Sequence, residues 1–210
     1  MKELEQISAA VIAGKASEVQ RLVQECLSAG VEPLTIITEG LIGGMAIIAD
    51  RFKKNEMYIP EVLVAARAMT MGLNIVKPLI AGTGHVAAAK VIIGTVKGDM
   101  HDIGKKLVGM MLEGAGYEVV DLGVDVSPEK YVAAVKEHAP QILGMSSLLT
   151  TTMPSMKMTI NHLIESGLRD QVKVMIGGAP ITDSYAKEIG ADGYAPDAGS
   201  AVDLAKSLLS

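Results

Sequence analysis

The sequence predicts an α/β chain: an N-terminal four-helix bundle over residues 1–80, a linker over residues 81–90, and a Rossmann-like, flavodoxin-like five-stranded parallel sheet domain over residues 91–210. Three observations predict it. Up to residue 80 the apolar residues recur only at helical spacing. From Val91 onward, short apolar runs alternate with amphipathic stretches five times, which builds a parallel sheet with helices on both faces. The run from Val91 to Val96 is continuously apolar or β-branched apart from Gly94, as in a central strand buried on both sides.

In the first part, Leu4, Ile7, Val11 and Ile12 line one face before Gly14, and Val19, Leu22, Val23, Cys26 and Leu27 line the next before Gly30. Pro33 opens a third helical segment through Lys54 and Pro60 a fourth through Ile80, each proline in a first turn that tolerates it. The third holds Gly40, Gly43 and Gly44, which weaken a helix but let a neighbour approach closely. Within the linker, Gly82, Gly84 and Ala87 have the spacing of a dinucleotide fingerprint. They precede a strand instead of following one, so that reading is rejected.

Strands are expected at Val91–Val96, Glu118–Leu122, Gln141–Ser146, Lys173–Ile176 and Gly193–Ala195. Helices are expected at Ile103–Leu112, Pro128–Glu137, Met153–Glu165, Asp183–Ile189 and Ser200–Leu209. Five strands favour the order 2-1-3-4-5, with the first and third side by side at the switch point where such sheets bind ligands. The loop after the first strand, with Asp99, His101 and Gly104, should then meet the hydroxyl-rich loop Ser146 to Thr152. Gly177-Gly178-Ala179 and the segment Tyr194 to Gly199 open on the same edge, making a groove of small residues suited to a long polar ligand.

Composition excludes several function classes. A net charge of -5 without a Lys/Arg cluster argues against nucleic acid. The core must be aliphatic and methionine-rich, since there are 13 Met, one Phe and no Trp. A single cysteine, Cys26, allows no intrachain disulfide and fits a reducing compartment. The most apolar stretch, Gly40 to Ala49, is short of the ~20 residues of a membrane span. The N-terminus lacks a signal peptide's basic and apolar regions, so a cytoplasmic protein is expected.

His101, with a carboxylate two residues before it and hydroxyls nearby, could be a nucleophile, a general base or a metal ligand. A serine hydrolase would need G-x-S-x-G, and Gly144-Met145-Ser146-Ser147-Leu148 lacks the second glycine. A protein-held zinc would need three or four ligands, and His85, His138, His162 and Cys26 are scattered through other elements. A lone histidine can still bind a metal whose other ligands belong to a macrocycle.

Gly98-Asp99-Met100-His101-Asp102-Ile103-Gly104, followed by Ser146-x-Leu148 and Gly177-Gly178, resembles the D-x-H-x-x-G, S-x-L, G-G signature of cobalamin-binding domains. The helical segment resembles the cap of methionine synthase and of corrinoid proteins of methyltransferase systems. The resemblance implies a cobalamin or related corrinoid bound with its nucleotide base displaced. His101 would be the lower ligand of cobalt, Asp99 its partner and Thr152 the hydroxyl of the triad, standing where the family has serine. The histidine would detach when the methyl group leaves, with the triad taking up a proton. Gly98, Met100, Asp102 and Gly104 would touch the cofactor, and Ser146, Leu148, Thr150, Gly177, Gly178 and Ala198 would line the nucleotide-tail groove or the macrocycle edge. Phe52 and Ile59 would shield the methyl face, with the linker as hinge.

The blander readings are that Thr150-Thr151-Thr152 cap the helix starting near Met153-Pro154, where Thr152 could do both jobs, and that Phe52 and Ile59 are bundle core. The implied function is a methyl carrier. It would be loaded by a substrate-specific methyltransferase from methanol, a methylamine, a phenyl methyl ether or a betaine. A second methyltransferase would unload it to tetrahydrofolate or coenzyme M, and a reductive activator would assist. The rivals are a subunit of an adenosylcobalamin-dependent mutase and a cobalamin-binding sensor.

Overall fold

A computed structural model describes residues 2–80 and 89–210. Most of the expected linker, with Gly82, Gly84, Ala87 and His85, lies outside the described residues, and Lys90 at its end is already the first residue of a strand. The chain divides into two compact units, one helical and one built on a sheet.

Among the described residues the helical unit holds four helices: α1 (Lys2–Ile12), α2 (Ala16–Ser28), α3 (Pro33–Lys53) and α4 (Ile59–Ile80). Their periodic apolar faces form its core, with Ile7, Val11, Val23, Ile36, Leu41, Ile48 and Val62 fully buried. Burying each such side chain contributes about 1.5–3 kcal/mol. The three glycines do not interrupt α3, which runs through a π-helical stretch at Ile36–Ile42. A Cβ on Gly40 would lie 3.1 Å from Ile7, and one on Gly44 would lie 3.0 Å from the Ser8 carbonyl, so the glycines let α1 come close. Cys26 is buried in this core, and burial raises its thiol pKa.

The expectation that the longest apolar stretch is Gly40 to Ala49 is corrected by two longer helices. Pro33–Lys53 and Ile59–Leu79 are each 21 residues long and apolar enough to cross a bilayer by length and composition. Of their most apolar windows, 39% and 44% are buried inside the protein.

The second unit alternates strand and helix: β1 (Lys90–Thr95), α5 (Ile103–Gly114), β2 (Glu118–Asp121), α6 (Pro128–His138), β3 (Ile142–Ser146), α7 (Pro154–Glu165), β4 (Lys173–Gly177), α8 (Asp183–Ile189), β5 (Gly193–Tyr194) and α9 (Ala198–Leu209). The sheet order is β2-β1-β3-β4-β5, all parallel, as expected. Most ends fall within a residue or two of the expected ones. The start of α9 is two residues earlier than expected because Asp197 caps it, its carboxylate accepting the Ser200 N–H at 2.8 Å. Ile92, Leu143 and Val174 from the three central strands are fully buried beneath Tyr131, Val135, Met156 and Ile160 of α6 and α7. The register sets Thr95 beside Ser146 and Ser146 beside Gly177, so three strands end in line and their loops emerge together.

Candidate functional site

The loop leaving β1 turns at Gly98, whose φ of +83° is left-handed. It then buries Asp99 completely while leaving the His101 side chain 52% exposed. One carboxylate oxygen, Asp99 Oδ1, accepts the backbone N–H of His101 at 3.0 Å and pairs with its Nδ1 at 2.7 Å. The other, Oδ2, accepts the N–H of Leu148 at 2.7 Å and of Leu149 at 3.4 Å, and the Thr152 hydroxyl at 3.0 Å. The loops after β1 and β3 therefore meet, as the strand order requires, and Asp99 is the joint between them.

Burial by itself would raise the Asp99 carboxyl pKa. The N–H groups of His101 and Leu148 and the side chains of His101 and Thr152 outweigh it and hold the carboxyl well below the usual carboxylate range. An ionised carboxylate only accepts, so the proton of a neutral His101 ring is assigned to Nδ1. The lone pair is left on Nε2, which engages no hydrogen-bond partner among the described residues. A fixed, half-exposed imidazole with a carboxylate behind it has the form of an oriented metal ligand. No group of three or more His, Cys, Asp or Glu that could hold a metal ion comes together among the described residues. A single such imidazole can supply one ligand to a metal whose other ligands belong to a macrocycle.

Other expected residues fall into place to different degrees. Met100 and Ile103, at 68% and 69% exposure, flank the histidine with apolar surface, and Leu148, Leu149 and Thr150 are exposed on the neighbouring loop. Gly104 faces open space. Ser146 is half-buried at the end of β3. Gly177 faces the Ala195 carbonyl, where a Cβ would lie at 3.1 Å. Asp102 is ion-paired with Lys106 one turn along α5. Ala198 is buried as the first residue of α9, and the hydrogen bonds of the Asp99 cluster do not reach it. In the helical unit Phe52 is half-buried and Ile59 is exposed, so neither is buried core. The capping role for the Thr152 side chain is corrected. Its hydroxyl is turned to Asp99, and the Ser155 N–H is taken by the Thr152 carbonyl at 3.0 Å.

Three contributors were not singled out from the sequence. Thr95, fully buried, donates its hydroxyl to the His101 carbonyl at 2.8 Å. Asp125, at a left-handed φ of +51°, accepts the Gly98 N–H at 2.7 Å and donates its own N–H to the Asp99 carbonyl at 3.0 Å. Ser147, fully buried, has its Oγ 2.7 Å from Thr152 Oγ1. Ser147 lay in the hydroxyl cluster that pointed to this loop, whereas Asp125 gave no spacing signal.

Models of B12 binding domains match residues 89–203 and 3–77. The chain belongs to the family of B12-binding corrinoid proteins. It is 41% identical to a corrinoid protein of Desulfitobacterium hafniense over 100% of this chain and 98% of that one. To a dimethylamine corrinoid protein of Methanosarcina acetivorans it is 42% identical, over 98% and 95%. Its fold matches the methanol:cobalamin methyltransferase complex of Methanosarcina barkeri with a TM-score of 0.90 and 29% identity, over 99% of this chain and 80% of that one. A cobalamin-binding protein of Desulfitobacterium hafniense matches at 0.80 with 30% identity, over 98% of both chains. The cofactor of this corrinoid protein is a cobalamin or a related corrinoid.

Proposed function

We propose that this corrinoid protein is a methyl carrier that takes a methyl group from a small methylated donor and passes it to an acceptor. The single observation that carries the reading is the imidazole of His101, tied at Nδ1 to buried Asp99 with Nε2 left free of hydrogen bonds. When bound, the corrinoid supplies the cobalt that takes and releases the methyl group. His101 Nε2 would be the protein's ligand to that cobalt. Asp99 keeps the Nδ1 proton and the ring orientation, and Thr152 steadies the carboxylate. Gly98, Met100, Asp102, Gly104, Ser146, Leu148, Thr150, Gly177, Gly178 and Ala198 are assigned to the corrinoid ring edge and nucleotide arm. Phe52 and Ile59 are assigned to keeping water off the methyl group.

The donor we favour is a methylated amine, because the relatives include proteins named for dimethylamine and trimethylamine. One partner is a substrate-specific methyltransferase. A second methyltransferase, using tetrahydrofolate or coenzyme M, and a reductive activator complete the system in the cytoplasm.

The test is reconstitution of the purified protein with a cobalamin, followed by gel filtration and absorption spectroscopy of wild type against His101→Ala. The variant should lose the histidine-ligated spectrum and retain the corrinoid less well. Identical spectra would remove His101 from the cobalt.

A further inference from the structure

The loop after β3 carries a second buried hydroxyl that the Asp99, His101 and Thr152 constellation does not explain. Thr152 Oγ1 has one proton and two acceptors within reach: Asp99 Oδ2 at 3.0 Å and the Leu149 carbonyl at 2.9 Å. Ser147 Oγ lies 2.7 Å from Thr152 Oγ1 and 3.2 Å from the same carbonyl. At 2.7 Å the two hydroxyl oxygens need a proton between them. In the first arrangement that supplies it, Ser147 donates to Thr152 and Thr152 donates to Asp99. In the other two Asp99 loses its hydroxyl donor: Thr152 donates to the Leu149 carbonyl while Ser147 donates to Thr152, or Thr152 donates to Ser147 and Ser147 to that carbonyl.

The first is favoured for two reasons. A carboxylate is the stronger acceptor. The Leu149 carbonyl already accepts the N–H groups of Thr152 and Met153, at 3.0 and 3.3 Å. A hydroxyl that accepts a hydrogen bond also donates a stronger one.

The backbone of Ser147 is seated for this. Its N–H donates to the Gly177 carbonyl at 3.2 Å. Gly178, at a φ of +131°, lies so close that a Cβ there would fall 1.8 Å from the Ser147 carbonyl oxygen. The Gly177-Gly178 pair therefore fixes the serine whose hydroxyl faces Thr152.

We propose that Ser147 is a positioning residue for the Asp99–His101 pair: by donating to Thr152 Oγ1 it commits the Thr152 hydroxyl proton to Asp99 Oδ2. In this role it moderates the pull of Asp99 on the Nδ1 proton of His101, and through it the donor strength of Nε2. For the effect on cobalt, the proposal rests on the methyl-carrier reading. For the effect on His101 it does not.

The experiment compares wild type, Ser147→Ala, Ser147→Cys, Thr152→Ala and the double variant Ser147→Ala/Thr152→Ala. Cysteine fills the space without a strong donor, so it covers the case in which alanine disturbs folding. In the corrinoid-free protein, the proton NMR resonance of His101 Nδ1–H should move downfield in both single serine variants, as Asp99 pulls harder on it. The double variant should match Thr152→Ala alone, because Ser147 acts only through Thr152. In cobalamin-loaded protein, the ratio of histidine-ligated to unligated cofactor should rise about two- to tenfold in Ser147→Ala.

An unmoved Nδ1 resonance in both serine variants, or a serine effect that persists undiminished without Thr152, overturns the proposal. An unchanged loaded spectrum in His101→Ala overturns the cobalt reading instead, and the NMR shift by itself then decides the role of Ser147.

Discussion

A single oxygen of Asp99 fixes His101 twice, Oδ1 accepting the backbone N–H at 3.0 Å and facing Nδ1 at 2.7 Å. One buried atom thus bonds both the backbone of the loop and the ring it carries. In Asp99→Asn, the amide replaces one of the two acceptor oxygens by a donor that faces N–H and O–H groups. We expect a loss of about 2–4 kcal/mol of stability in urea unfolding, with weakened histidine ligation in the corrinoid-loaded protein. A variant as stable as wild type would show that the carboxylate is not the joint between the two loops.

Acid should expose the same group. The folded Asp99 carboxyl titrates below its unfolded value of about 3.9, so between the two values the unfolded chain binds more protons. The stabilisation is complete above that value and is lost as pH falls below about 4. Denaturation curves from pH 6 downward should fall more steeply for wild type than for Asp99→Asn, and the two should converge in strong acid. Parallel curves would contradict the assignment.

Two glycines of the signature should behave in opposite ways. Gly178→Ala places a methyl group 1.8 Å from the Ser147 carbonyl at a left-handed φ, so unfolding measurements should show a loss of about 2 kcal/mol or more. Gly104→Ala meets nothing within 4 Å and lies within α5, so stability should hold or rise by up to about 1 kcal/mol. Its deficit should appear only as faster loss of corrinoid on gel filtration.

Lys105, in the first turn of α5, is buried against Asp121 at the end of β2. Asp121→Asn strands a buried ammonium, whereas Lys105→Met removes the charge with its stem largely replaced. The asparagine variant should be the less stable of the two, by about 2 kcal/mol in denaturant midpoint comparisons. The reverse order would mean that the ammonium reaches water without its partner.

Tyr131 offers a contrary case. Its hydroxyl is buried with no hydrogen-bond partner among the described residues, pressed over Gly94 of β1, and burial holds its pKa well above the usual phenol value. Tyr131→Phe should leave stability unchanged or raise it by up to about 1–2 kcal/mol, read from thermal unfolding. A clear loss would reveal an unseen partner.

The sheet was legible in the sequence because five apolar runs and their helices obey strong local periodicities, and five alternating strands favour the order 2-1-3-4-5. Asp99, His101 and Thr152 were legible as a spaced motif on loops that this order brings together. Asp125 and Thr95 were not, since their contributions are a backbone clamp and a bond to a carbonyl, which need no particular spacing. Ser147 looked like one more hydroxyl in a polar loop until its 2.7 Å approach to Thr152 distinguished it. The run of α3 through Gly40, Gly43 and Gly44 also departs from local propensity. Gly40 and Gly44 meet α1 at close range, and packing of this kind outweighs the weak helix preference of glycine.

The reciprocal bonds between Asp125 and Gly98-Asp99 tie the histidine-bearing turn to the crossover on its other flank, away from Thr152. The aim of the imidazole is thus inherited from both neighbouring connections, like a mast stayed from two sides. Lengthening either connection would slacken one stay.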